Sequence, residues 1–516
     1  MAGSGSVLRT LNRTLAAAWE ALLTMAVISS AGCRPRRVPK DAPIEMLVAN
    51  DPETLDPRYV TDAVGLRATR LVHAGLFRLD PDTLAPRPCV ARSWTWIDPR
   101  TLRVELRSDV FFHSGSRVTA RDVIETLRAT ASPEVASRHA GVVDAIADAT
   151  EAGPTTVVIR LGRPHATLLS DLELPILRAD EARSPPAPGG GLDGLGPYRI
   201  ASIARGAIWL SPAAHGAFPE PARSVVLRTI HDENTRALRL ETGKADVGLN
   251  VISPTLLPAL ASAPGLALAV RPGANLTYIV VNESRPPLDD ARARQAVSLA
   301  IDRKTLCESL LGGHARPAAG LIAPTLWAHA EMPPLGFDRG AAAALGEAAD
   351  MDHGAYKRPR RLTLLSSTER IRVDVARVVA QELEDAQIHA DVVPLELGVM
   401  IARLNAGDFD LAILQIPEMT EPNVLRHFLH SEFIPPAGAN RGRVHDAVLD
   451  ALLDEGDAEI DPASRRRIYS RLEERQRSQM HLVPLWYEDQ VAVIGARAQT
   501  FVPSAEGRWL GLAAIP

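Results

Sequence analysis

The side chains able to carry covalent or metal chemistry are present in this chain, yet not at spacings that would carry it. Of 14 histidines, His427 and His430 are the nearest pair in sequence, three apart on a helix-like stretch where both can share one face. No cluster of Cys or Asp accompanies them, so no metal ligand set is assigned. Cys89 and Cys307 are widely separated in unrelated surroundings, which gives neither a disulfide framework nor a zinc site; two buried free thiols are expected. The chain has no G-x-S-x-G elbow, no H-E-x-x-H and no P-loop, and no spacing of Ser, His and Asp singles out a triad. No catalytic residue and no cofactor is therefore assigned. The clearest local motif is architectural: Thr119 is placed to cap a helix by accepting from its first free amides, with Asp122 three residues on as in a capping box.

The elements that must position any site are numerous. At 516 residues the chain is too long for one core, and two or three lobes are expected. Its 46% hydrophobic and 23% charged content is that of a folded globular protein. A net charge of -5 gives no concentrated basic surface, so no nucleic-acid partner is expected. From residue 41 onward strand-like and helix-like stretches alternate, which predicts a mixed α/β fold. Strands are predicted at 44–48, 155–161, 276–282, 362–365, 390–395 and 409–414, with a hairpin turning at Asp98-Pro99. Long helices are predicted at 290–301 and 369–387. The Pro- and Gly-rich stretch 183–194 reads as a loop and a lobe boundary.

The first residues read as a processing segment. Arg9 and Arg13 precede a short apolar run, 21–28, that is too brief to span a bilayer, so a signal peptide over 1–32 is expected. Ala31-Gly32-Cys33 resembles the end of a bacterial lipobox, which implies lipidation of Cys33; Ser30 and Glu20 depart from that pattern. No other apolar run is long enough to span a membrane.

Several strings, in order along the chain, resemble one family. The run from Leu106 to Val123 fits the form LRxDVxFHxGxxxTAxDV. Leu55-Asp56-Pro57, Gly75-Leu76, Ala91-Arg92-Ser93-Trp94, Gly194-Leu195-Gly196-Pro197-Tyr198 and Gly243-Lys244-Ala245-Asp246-Val247 are similar to further family elements, with the usual acid replaced at Ala74 and Arg92. Asn282, Pro286-Pro287-Leu288-Asp289-Asp290 and the run from Arg294 to Arg303 fit NxxxPPFxDxxVRQAxxxAIDR. Together they resemble the dipeptide/oligopeptide/nickel family (family 5) of extracellular solute-binding proteins that feed ABC importers. The resemblance implies a two-lobed periplasmic-binding-protein fold of cluster C type, with a small third domain appended to the first lobe. Lobe I is expected over 41–76, 190–270 and 490–516, the appended domain over 77–189, and lobe II over 271–489. The signature residues read as scaffold: Asp302-Arg303 would end a helix and pair with neighbouring charges, and Gly196-Pro197 would fix a turn entering a strand.

Carrying the family's peptide contacts over residue by residue leads to three places. The first is the loop after Leu55-Asp56-Pro57, with Tyr59, Thr61 and Asp62 facing either the cleft or solvent. In the second, relatives have a form like GWxADYxxP whose Asp pairs with a peptide's α-ammonium. Here Gln415 replaces the Trp and Glu418 stands at the Asp position, either as ammonium partner or, with Glu421, as a solvated loop pair. The third holds Trp486 and Tyr487, which either stack on a solute or pack the hinge.

The leading expectation is a monomeric binding module, periplasmic or at the cell surface. It captures a peptide or similar small solute and presents it to an ABC permease in the inner membrane, with a lipid anchor at Cys33. A ligand sensor without transport and a periplasmic hydrolase are the alternatives. Adjacent permease and ATPase genes separate transport from sensing, and turnover of peptides or esters would mark an enzyme.

Overall fold

The structure, a computed structural model, describes residues 42–351, 361–417 and 419–516. The expected signal segment, Cys33 and Glu418 lie outside the described residues.

Seventeen strands are formed among the described residues. In chain order they are β1 (Ile44–Val48), β2 (Phe77–Leu79), β3 (Pro86–Pro88), β4 (Ala91–Asp98), β5 (Thr101–Leu106), β6 (Ile146–Gly153), β7 (Thr156–Leu161), β8 (Tyr198–Ala204) and β9 (Ala207–Pro212). They continue as β10 (Val225–Thr229), β11 (Val247–Leu249), β12 (Leu266–Val281), β13 (Ala315–Pro317), β14 (Leu362–Ser367), β15 (Ala390–Leu395), β16 (Leu411–Ile416) and β17 (Leu482–Gly495). Eleven belong to one sheet, in the order β15-β14-β16-β12-β17-β11-β1-β10-β9-β8 with β13 beside β17.

The two lobes meet in this sheet through β12 and β17. One end of the antiparallel pair, Leu266–Arg271 against Gln490–Gly495, continues into lobe I, where β11 takes β17 as its neighbour. The other end, Leu276–Val280 against Leu482–Tyr487, continues into lobe II, where β16 flanks β12. Between them the register shifts from Arg271 to Asn275, at Pro272 and Gly273. A proline there interrupts no ladder bond, because the ladder is already broken. Those two residues also disguise the continuity of β12, which is longer than the predicted 276–282 strand.

Alternation along the strands builds a core on each face of the lobe II sheet. Ile279, Val281, Leu364, Leu411 and Ile413 join one core with Val375, Val379 and Leu383 of the helix Arg370–Asp385. Leu276, Tyr278, Val280, Leu365, Ala412 and Ile416 join the other with Met400 and Leu404 of Leu397–Ala406. Each fully buried side chain of this size contributes about 1.5–3 kcal/mol. A separate four-stranded sheet, β4-β5-β7-β6, packs Leu102, Val104, Val157 and Ile159 against Val123 and Leu127 of the helix Ala120–Ala131.

The signature strings are structural, with one correction of detail. At the helix start the expected capping box of Thr119 and Asp122 is formed, and the Asp122 carboxylate accepts both the N–H and the hydroxyl of Thr119, at 2.8 and 2.7 Å. Arg303 finds carbonyls and a hydroxyl rather than charges: its guanidinium donates to Pro484, Ser298 and Ile301 oxygens and to Ser298 Oγ. Asp302 meanwhile caps the helix Arg303–Ser309 by accepting from Thr305. Gly196 lies against backbone, where a Cβ would stand 2.4 Å from the Leu71 oxygen, which accounts for the glycine before β8.

Both described cysteines are buried free thiols, and burial pushes each thiol up to about 12, away from thiolate chemistry. Among the described residues no helix is long and apolar enough to cross a membrane.

Candidate functional site

A cavity of about 280 Å³ opens where lobe II faces the first lobe and its appended domain. On one side Pro57 and Val60 come from the loop after β1, and Leu66, Thr69 and Arg70 from the helix Ala63–Val72. Ser170, Asp171, Glu173, Leu174 and Pro175 extend that wall, with Leu79, His139 and Val142 and with Arg508 from the C-terminal segment. The opposite wall is Thr420, Glu421, Asn423 and Val424, just past β16. The cavity thus lies beyond the carboxyl end of a sheet strand, where α/β folds place their ligands.

The loop on the first wall is held rigidly. The Arg58 guanidinium clasps Asp56 at 2.6 and 2.9 Å and donates to the Ala182, Ser184 and Pro185 carbonyls. Burial alone would raise the Asp56 carboxyl, but the hydrogen bonds from Arg58 and from the Ala187 amide outweigh it and hold it below its ordinary value. This clasp fixes Pro57 and Val60 at the cavity rim.

Charge on the walls is compensated group by group. Glu173 lies between Arg508 and Arg70, and Arg508 also pairs with Glu506 at 2.8 Å. Burial works against the Glu173 charge, and the two arginines more than offset it, so its carboxyl stays below the usual range. Asp171 pairs with His165 at 2.6 Å, and Glu421 with Arg465 at 3.4 Å. For Glu421 burial wins, and its carboxyl sits above the usual range despite Arg465 and Ser170. Arg70, Arg508 and Arg465 thus stand against the carboxylates Glu173 and Glu421 of the wall.

The residues singled out from the sequence fall in different places. Tyr59 is half-buried and donates its hydroxyl to the Val135 carbonyl at 3.0 Å. Asp62 caps the helix Ala63–Val72, accepting from Gly65 at 2.8 Å, and Thr61 is exposed. None of the three lines the cavity, although their neighbours Pro57 and Val60 do. Trp486 and Tyr487 are 1% and 2% exposed and pack in the two lobe II cores, with the Tyr487 hydroxyl donating to the Gly320 carbonyl at 2.7 Å. Of the two readings for this pair, packing describes what the structure holds. Gln415 stands on β16 opposite Thr277, and its amide nitrogen is enclosed without a hydrogen-bond partner among the described residues. Glu421 is 8% exposed and doubly engaged, so it is not a solvated loop residue. Ser170, Asp171, Glu173, Leu174, Pro175 and Arg508, which supply much of one wall, carry no motif that could have marked them.

His427 and His430 pack edge-on around Phe433, and His430 also accepts from the Glu432 amide. Among the described residues, no group of three or more His, Cys, Asp or Glu side chains could hold a metal ion.

Two lobes on a shared sheet, with a cavity between them, define a solute-binding protein of the hinged, two-lobed class. The chain belongs to the bacterial extracellular solute-binding proteins, family 5, whose middle region matches residues 85–432, about two thirds of the chain. It is similar to the glutathione-binding protein GsiB of Salmonella typhimurium, 24% identical over 490 residues, covering 92% of this chain and 94% of that one. Among solved structures it resembles NikA from Brucella suis in complex with Fe(III)-EDTA (TM-score 0.81, 21% identity, 92% of this chain and 99% of that one). It also resembles the oligopeptide-binding protein AppA from Bacillus subtilis in complex with a nonapeptide (TM-score 0.75, 18% identity, 92% and 99% covered). The two structures show the shared fold.

Proposed function

We propose that this protein is the extracytoplasmic receptor of an ABC importer, enclosing a short peptide or a solute of similar size between its lobes and delivering it to a membrane permease. The observation that supports this most is the cavity itself, walled by both lobes and lined by paired rather than lone charges. Relatives named for binding glutathione, itself a short peptide, favour the same size and chemistry. The protein acts by capture and release and performs no covalent step. Cys33 is proposed as the lipid anchor that keeps it near the permease.

Within the site, Glu418 is proposed to receive the solute's ammonium group, as its place between Pro417 and Met419 just past β16 allows. Gln415, with its enclosed amide nitrogen, is proposed to donate to a solute carbonyl or carboxylate. Thr61, exposed on the loop beside the rim, remains part of this proposal.

The test is to release whatever co-purifies with the full chain and identify it by mass spectrometry, followed by thermal-shift titration with glutathione, di- and tripeptides and Ni²⁺. A specific solute raises the melting temperature by mass action, about 2.7 kcal/mol of added stability at a hundredfold excess over Kd. Absence of any solute and of any shift across that panel would overturn the reading, and turnover of a peptide or ester would replace it with an enzyme. Glu418→Ala is expected to abolish calorimetric binding of amine-bearing solutes; unchanged affinity removes Glu418 from the site.

A further inference from the structure

The wall residues Glu173, Leu174 and Pro175 are gripped from two directions by residues in or beside the signature strings. On one side lie β2 and the residues that lead into it. The Phe77 amide donates to the Leu172 carbonyl at 3.3 Å, and the Ile176 amide donates to the Ala74 carbonyl at 2.9 Å. Gly75 stands directly against Glu173, where a Cβ would lie 2.4 Å from the Glu173 carbonyl oxygen, so no larger residue fits without moving the wall. On the other side, the helix Ala120–Ala131 holds the residues that follow the wall. The Ala179 amide donates to Asp122 Oδ1 at 2.9 Å. The Leu177 amide donates to the Thr126 hydroxyl at 3.0 Å, and that hydroxyl donates to the Asp122 carbonyl at 2.7 Å.

Asp122 divides its carboxylate between two tasks. Oδ2 accepts from Thr119 and closes the capping box, which asks for nothing more. Oδ1 faces away from the helix start and accepts the Ala179 amide, a charge-assisted bond made by a side chain that is 8% exposed. Only a carboxylate offers acceptors in both directions, because an amide side chain carries one oxygen and one N–H₂ group. Thr126, 2% exposed, stands one helical turn further along the same buried face. Between these two anchorages lies Glu173, the carboxylate that meets Arg508 and Arg70 at the cavity. Where its backbone is held decides where that group of charges stands.

We propose that Asp122, with Thr126 behind it, is a positioning residue for the solute cavity. By holding Ala179 and Leu177 it fixes Glu173, Leu174 and Pro175 at the wall, and the capping box of the signature string thereby sets the shape of a site it does not touch. The meaning of this hold for solute binding rests on the receptor reading, but the hold itself is measurable without any solute.

The experiment compares Asp122→Asn, Thr126→Val and Thr126→Ser in the full-length protein. In Asp122→Asn the side-chain oxygen still serves Thr119 and leaves an N–H₂ facing the Ala179 N–H, so the cap survives while the outward bond is lost. Hydrogen exchange of peptides covering 172–179 is expected to speed about 10- to 100-fold in this variant, the range of one hydrogen bond to a charged group. Thr126→Val loses a neutral bond and is expected to speed it about 2- to 10-fold, whereas Thr126→Ser, which keeps the hydroxyl, restores the parent rate. Thr126 lies outside the capping box, so this pair of variants decides the matter even if Asp122→Asn does not fold. Peptides from the helix Ala120–Ala131 and from β17 are the controls and are expected to be unaffected, which separates a loosened wall from unfolding. Calorimetric titration with glutathione and with di- and tripeptides follows. The affinity of the solute that binds the parent is expected to fall about tenfold in Asp122→Asn, because the binding-competent wall is populated less. Unchanged exchange at 172–179 in both Asp122→Asn and Thr126→Val overturns the proposal, and so does a loosened wall with unchanged affinity. A parent that binds nothing in that panel, with variants that still show the faster exchange, keeps the hold on the wall and loses the receptor reading.

Discussion

Glu473 and His73 show how far single buried groups can set the pH behaviour of this protein. Glu473 is 1% exposed, and its carboxylate accepts the Leu321 and Ile322 amides at 2.9 and 3.0 Å, anchoring that loop to the helix Pro462–Gln479. Burial outweighs those two bonds and pushes the carboxyl up to about 7. A carboxyl raised in the folded state binds its proton while the unfolded chain has released it, so its contribution is full below about pH 4.5 and is lost as pH rises through 7. Glu473→Gln, which keeps an acceptor for both amides, is expected to raise stability at pH 8 by about 1–3 kcal/mol and to change little at pH 4.5. Urea unfolding at the two pH values checks this. His73 has the opposite sign. Both its ring nitrogens are enclosed without partners among the described residues, and burial, with a smaller push from His113, drives it down to about 4. It is neutral in the fold above that value, so stability is full above about pH 6.5 and declines as pH falls towards 4. His73→Leu is expected to flatten that acid slope, by up to about 3 kcal/mol. An unchanged slope would remove His73 as its source.

At the scale of elements, two positions carry the sharpest expectations. Asn282, at the end of β12, is fully buried and donates to the Gly407 and Phe409 carbonyls at 3.1 and 2.9 Å while accepting from Ser284. Asn282→Ala leaves two interior carbonyls without donors and is expected to lower stability by about 2–4 kcal/mol, measured as a shift in the denaturant midpoint at constant slope. Gly273 sits at the register shift between the lobes, where a Cβ would lie 2.1 Å from the Glu488 carbonyl oxygen. Gly273→Ala is expected to force β12 and β17 apart there and to change the resting angle between the lobes, visible in small-angle scattering as an altered radius of gyration. These positions also show what could be read from the sequence and what could not. Asn282, Asp290, Arg294 and Arg303 stand in a recognisable string, and each ties a local turn or helix end to neighbouring backbone. The cavity wall is different. Ser170 and Glu421 are 251 residues apart and meet only through the closure of two lobes, and neither lies in a periodic or capped stretch that local rules could flag. Trp486 was legible as an aromatic at a hinge strand, but its choice between solute and core depends on the lobe II core it joins, whose members come from distant stretches of the chain that no local pattern brings together.

For the molecule as a whole, the decisive feature is that the lobes share one sheet. Order along that sheet places β17, the last strand in the chain, between β12 and β11. The strand that completes both halves thus lies far along the chain from β12. Without it, β11 has no antiparallel neighbour on that side, and β12 lacks its longest partner. A chain ending at residue 481 is expected to lose slow amide exchange in both lobes rather than in one, since each is missing the same central strand. Native protection surviving in lobe II alone would contradict this. The arrangement also has a consequence for folding. The pairing at the centre of the sheet joins strands far apart in sequence, so its loop-closure entropy must be met before the contacts that unite both halves reward it, and slow, non-local closure is expected to limit the folding rate.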